Sequence, residues 1–256
     1  MPRDFLRLLG RESLDEVELG DSVARDMTVL FSDLRAFTQR SKGMTAEENF
    51  AFINAYFGAM EPVIIGQGGF IDKYVGDSIM ALFEDADSAV RAGIGMQEAL
   101  TRFNSARDGL PVRMGIGIHT GRLMLGTVGG PIRMDTTVIS DTVNLTARIE
   151  ELTKRFDSSV QITSATRARL ADPAAYSLRR IDSVRLDSMN EPVDVFEAFD
   201  AEHETVRAAR AATLGTFDKA LSAYLDRRFD EAQRLFTLVQ TMDPQDRAAS
   251  VYLERC

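Results

Sequence analysis

Only one of the 256 residues is cysteine, Cys256, at the last position. A disulfide within the chain is therefore excluded, which fits a reducing compartment. No apolar run approaches the roughly 20 residues that span a bilayer. The opening MPRDFLRLLG is too short and too charged for a secretory signal. The expectation is a cytoplasmic protein, or the cytosolic part of a membrane-anchored one. Basic charge is scarce as well: 30 Lys and Arg stand against 39 Asp and Glu, a net charge of −9. That argues against a nucleic-acid backbone as partner. A small anion stays compatible, because a local cation or a metal can hold one. What is present, 45% apolar and 27% charged residues, is the balance of a globular chain with one sizeable core.

The apolar pattern orders the chain. Residues 27–34, MTVLFSDL, predict a strand covered on both faces. Residues 45–48, TAEE, have the form of a capping box, and Phe50, Ile53, Phe57 and Met60 follow at helical spacing. DKYVGDSIMALF, residues 72–83, reads as two strands around a Gly76-Asp77-Ser78 turn. A second long helix is predicted over 85–107. VRMGIGIHTG (112–121) alternates as a strand, with RLMLGTVG (122–129) as its hairpin partner. Ser140 or Asp141 caps a helix, and VQIT and PVDVFEAF are short strands with a small helix over 164–170 between them. The order β-α-β-β-α-β up to about residue 120 is the split βαβ arrangement of an α+β, ferredoxin-like fold. Residues 1–25 read as a lead-in helix or linker, 26–200 as the main domain, and 201–256 as a helical tail. In the tail, Ala232, Phe236 and Pro244 match three positions of a tetratricopeptide unit.

Two carboxylates stand out. Asp33 ends the first strand and Asp77 lies in the hairpin turn, and the topology makes those strand ends neighbours. Two carboxylates brought together favour a cation between them. Lys73 lies on the strand before Asp77, flanked by apolar residues. Thr137 sits in MDTTVISD, and Asn144 and Arg148 are four apart on one helix face. Taken singly, each has a plainer reading: a solvated turn aspartate, an edge lysine, a strand threonine, a polar helix stripe.

Together, VLFSDLRAFT, DKYVGDSIMALF, GIGIHTG and MDTTVISDTVNLTARIE resemble the catalytic domain of class III nucleotidyl cyclases, over about residues 26–199. The resemblance implies that Asp33 and Asp77 hold Mg²⁺ or Mn²⁺, two ions per site. It places the loop through Leu34, Ala36, Phe37 and Thr38 over the triphosphate. Lys73 and Thr137 match the base-selecting pair, and their identity points to ATP and to the bacterial IIIb branch, in which bicarbonate regulates several members. Asn144 and Arg148 match the residues that position the ribose and stabilise charge at the reacting phosphate. The expected product is cyclic AMP, made at sites shared across a homodimer. The alternatives are a guanylyl or promiscuous cyclase, or a catalytically weak nucleotide-binding regulatory dimer. Asp187 stands where the family often has a phosphate-contacting Lys, which points toward weak ATP affinity. An upstream sensor or membrane domain in a longer parent chain is a further expectation.

Overall fold

The computed structural model describes residues 3–13, 16–130, 134–185 and 192–256. Asp187 and Ser188 lie outside the described residues. The core is a mixed sheet built on β1 (Ser22–Leu34) and β4 (Met114–Gly129), antiparallel over thirteen residue pairs. β1 starts at Ser22, five residues before the apolar run. β2 (Phe70–Val75) and β3 (Ser78–Phe83) form the expected hairpin, and β3 pairs with β1. β5 is Met134–Ile139, β6 Val160–Thr163, β7 Leu178–Val184 and β8 Val193–Ala198. The sheet order is β2-β3-β1-β4-β6-β8-β7, with β5 paired to β4 beside that path. The run β4-β1-β3-β2 is the split βαβ order, so the α+β expectation holds.

One expectation fails. Residues 112–129 are not a hairpin. Gly121, where the hairpin reading divides the two strands, continues one sixteen-residue strand, and its φ is not in the left-handed region. Gly121 is there for closeness: a Cβ would lie 2.6 Å from the Thr142 hydroxyl. Gly115 and Gly117 do the same work. A side chain at Gly117 would run into the backbone of Glu150. The alternate glycines of GIGIHTG form a bare track, and α5 (Asp141–Phe156) lies on it.

The opposite face of β4 points Ile116 and Ile118 into a core with α3 (Ala46–Gly66) and α4 (Ala86–Ser105). Thr45 and Glu48 close the predicted capping box on α3. α1 (Arg3–Leu9) seats Phe5 and Leu8 against Met27, Val29, Met80 and Leu125 on the α5 side of the sheet. Two short helices, α2 (Phe37–Ser41) and α6 (Ser164–Arg167), follow β1 and β6.

The tail folds as α7 (Glu204–Leu225), α8 (Phe229–Met242) and α9 (Arg247–Leu253). It packs on the main domain: Phe217, Phe236 and Tyr252 join Leu145, Ile149 and Phe156 of α5 and Val195 of β8 in one core. A buried charge cluster fixes the joint. Arg179 meets Glu197 at 2.6 Å and Asp246 at 2.5 Å, and Arg210 meets Asp243 at 2.6 Å and Asp246 at 2.9 Å. No helix among the described residues is long and apolar enough to cross a membrane.

Candidate functional site

Register brings the first carboxylates together. Ser32 pairs with Ile79, which sets Asp33 opposite Ser78 and next to the turn that carries Asp77. The Ser78 hydroxyl donates to Asp33 Oδ1 at 2.7 Å. Asp77 feels its neighbour: its pKa is raised, first by burial and then by the charge of Asp33, while the backbone amides of Asp77 and Leu34 pull it the other way.

After Leu34, which is buried, the chain turns sharply. Ala36 holds φ 55° and ψ 26°, a left-handed conformation that costs an L-residue about 1–2 kcal/mol. It starts α2 with no side chain capping the helix. The first-turn amides, at Phe37 and Thr38, therefore have no internal helical partner.

α5 stands on the same side of the sheet as Asp33, because Gly115 pairs with Asp33 and faces α5. A groove of about 680 Å³ opens between them, lined by Asp33, Ser78, Asn144, Arg148, Glu150 and Lys154 among others. Asn144 and Arg148 are both exposed, and neither makes a hydrogen bond or ion pair among the described residues. Two groove residues were not singled out in the sequence. Lys154 donates to Asp33 Oδ2 at 2.7 Å. Glu150 is buried, its Oε2 lies 3.6 Å from Lys154 Nζ, and its Oε1 has no hydrogen-bond partner. Burial pushes the Glu150 carboxyl up to about 7, with Lys154 opposing. Glu150 and Lys154 are one turn apart on α5 but lie off the Asn144–Arg148 stripe, so helical register did not mark them.

Lys73 and Thr137 meet elsewhere. Lys73 Nζ donates to Thr137 Oγ1 at 3.1 Å, across strands that do not pair with each other. Asp72 backs the lysine at 3.2 Å with its side chain buried, and burial raises the Asp72 pKa. Neither Lys73 nor Thr137 lines the groove beside Asp33. The candidates therefore form two groups in one chain. Asp33, Asn144 and Arg148 share the groove, with Asp77 adjacent, and Lys73 and Thr137 form a separate pair.

Beside the track lies a buried polar chain joined through Thr166 to Thr120 and Thr163. Thr28 and Thr120 share a hydrogen bond at 2.9 Å, and His119 Nδ1 meets Thr163 Oγ1 at 2.8 Å. Burial lowers the His119 pKa to about 4.

Residues 21–198 match the family described as the adenylate and guanylate cyclase catalytic domain. An adenylate cyclase of Anabaena cylindrica is 42% identical over 207 residues, 77% of this chain and 41% of that protein. A terminal-differentiation-specific adenylate cyclase of Dictyostelium discoideum is 33% identical over the whole of this chain, which spans 12% of it. The chain thus spans less than half the length of these relatives. Among solved structures, the guanylyl cyclase Cya2 is 35% identical with a TM-score of 0.60, over 69% of this chain and 93% of that one. The adenylyl cyclase CyaB from P. aeruginosa is 28% identical with a TM-score of 0.61, over 72% and 98%.

Proposed function

Because the chain belongs to the class III nucleotidyl cyclases, we propose that it converts ATP into 3′,5′-cyclic AMP and pyrophosphate. The observation that carries the choice of ATP is the Lys73–Thr137 contact. Adenine offers an acceptor at N1 and a donor at N6. The Lys73 ammonium donates to N1. The Thr137 oxygen takes Lys73 on one lone pair and the N6 amino group on the other. Guanine reverses both edges and sets its N1–H against an ammonium. This pair also supports placement in the IIIb branch.

In the reaction the ribose 3′ oxygen bonds to the α-phosphorus, the bond to pyrophosphate breaks, and the 3′ hydroxyl gives up its proton to water. Attack is intramolecular, so orientation and charge stabilisation dominate. Asn144 orients the ribose, and the unpaired Arg148 guanidinium meets charge growing on the phosphate. The free amides at Phe37 and Thr38, at the end of the loop through Leu34 and Ala36, are offered to the terminal phosphates. Asp33 and Asp77 suit Mg²⁺ or Mn²⁺, two per site: they are hard oxygen donors at adjacent strand ends, and burial, then the charge of Asp33, raises the Asp77 pKa. No group of three metal-binding side chains gathers among the described residues. The remaining coordination falls to phosphate oxygens and water, as is usual for Mg²⁺. When bound, the metals lower the pKa of the 3′ hydroxyl and neutralise phosphate charge. Lys73→Glu with Thr137→Cys should weaken use of ATP by about 1–3 kcal/mol, roughly 5- to 150-fold. Product analysis with ATP and GTP in parallel tests this, and an unchanged preference for ATP overturns the assignment. GTP turnover by the wild type would favour the guanylyl or promiscuous reading.

A homodimer supplies the shared sites, with Asp33 and Asp77 from one subunit and Lys73, Thr137, Asn144 and Arg148 from the other. Exposed apolar residues on β4, β5 and the β2 turn, among them Met124, Val128, Ile139 and Val75, support an interface there. A second reading, a site within one chain, is favoured by the groove that holds Asp33 with its own Asn144 and Arg148. Residues 201–256 are proposed as a tail joined to the catalytic domain over 26–200, with 1–25 as the lead-in. An upstream sensor and regulation by bicarbonate remain proposals from kinship with the IIIb branch.

A further inference from the structure

Both oxygens of the Asp33 carboxylate are engaged. Ser78 donates to Oδ1 and Lys154 to Oδ2, each at 2.7 Å. Lys154 reaches there from the last turn of α5, with its side chain 46% exposed. One turn back, the Glu150 carboxylate is 8% exposed and stops 3.6 Å from the same ammonium, beyond hydrogen-bond range. Its other oxygen is buried with no partner. One ammonium therefore stands between two carboxylates, bonded to the first and short of the second. Lys154 already faces Glu150 Oε2 as an ion pair and needs only a small shift to hydrogen-bond it, and the partnerless buried Oε1 adds to the demand of this carboxylate for positive charge.

On the reading of Asp33 as a metal ligand, we propose that Lys154 is a tethered counter-ion that a divalent cation displaces onto Glu150. A metal and an ammonium cannot both sit on Oδ2, because two cations at one oxygen repel strongly. The exchange needs less than about 1 Å of ammonium travel to bring Glu150 into hydrogen-bond range. It keeps both carboxylates paired throughout. Lys154 and Glu150 are then positioning residues that set how tightly the site takes its metal. Lys154 opposes the metal, and Glu150 relieves that opposition.

The test is Mn²⁺ binding to the whole chain without nucleotide, followed by the electron paramagnetic resonance signal of free Mn²⁺. Lys154→Met should bind Mn²⁺ at least about tenfold more tightly than wild type, and Lys154→Arg, which keeps the charge, should not. Glu150→Gln should weaken binding severalfold, but only while Lys154 is present. In the Lys154→Met background its effect should vanish, whereas a simple field effect of Glu150 would persist there. Asp33→Asn separates the two readings. If it binds like wild type, Asp33 is not a ligand and the proposed metal site falls. If it loses Mn²⁺ but Lys154→Met gains nothing, the metal site stands and the exchange is overturned. Binding detectable in neither wild type nor Lys154→Met also overturns it.

Discussion

At the scale of single residues, the site is held at some cost to the fold. Asp77 is half-buried beside Asp33, and burial first, then the charge of Asp33, raises its pKa in the free protein. Asp77→Ala should therefore cut turnover at least a hundredfold, about 3 kcal/mol of transition-state stabilisation. Its melting temperature should match or exceed that of wild type. A near-normal rate in Mg²⁺ would remove Asp77 from the site. His119 and Glu150 pull acid stability in opposite directions. His119 is held neutral, with its pKa lowered to about 4. The unfolded chain thus binds the extra proton, and this contribution, complete above about 6.5, is lost as pH falls toward 4. Glu150 is raised to about 7. The folded state binds its extra proton, so stability declines as pH rises from about 4.5 to 7. Between roughly pH 4.5 and 6.5 the two offset each other. His119→Asn should keep only the Glu150 slope and gain stability steadily as pH drops from 7 to 4.5. Urea midpoints at three pH values decide it, and parallel profiles for variant and wild type would refute the assignment.

At the scale of elements, α5 is the part on which the site depends. One face carries Asn144 and Arg148 into the groove. The other sends Leu145, Ile149 and Phe156 into the core shared with the tail. The tail is clamped by Arg179, Arg210, Glu197, Asp243 and Asp246, charges taken from β7, β8 and the helices beyond. Removing one member leaves buried charge unmatched, so Asp246→Ala should cost about 3–5 kcal/mol. A loss below about 1 kcal/mol in denaturant titrations would mean that the cluster relaxes into water. The same elements show what the sequence could and could not reveal. The hairpin and the capping box are local patterns, and they were legible. β7 was not read, because LRRIDSV carries the charges that the fold buries against the tail. The hairpin over 112–129 was misread because a glycine needed for closeness looks like one needed for a turn. Lys154 and Glu150 were passed over, because their meeting with Asp33 depends on a strand and a helix 121 residues apart.

At the scale of the whole molecule, the open question is whether a site closes within one chain or between two. Mixing Asp33→Ala protein with Arg148→Ala protein separates the readings. If sites are shared, each heterodimer holds one intact and one doubly damaged site. Random exchange makes about half the dimers heterodimers, so activity should return to about a quarter of wild type. It should fade on dilution as the dimers part. Heterodimers purified through two different tags and found inactive would instead favour a site within each chain.

The glycine track has a consequence at the level of the gene. A single-base change in a glycine codon that alters the amino acid yields Ala, Ser, Cys, Val, Asp, Glu, Arg or Trp, and each of these carries a Cβ. At Gly117 that carbon alone collides with the backbone of Glu150. No missense change at this codon is conservative, not even to alanine. A mutational scan should register it as intolerant throughout, although the residue has no side chain and takes no part in the chemistry.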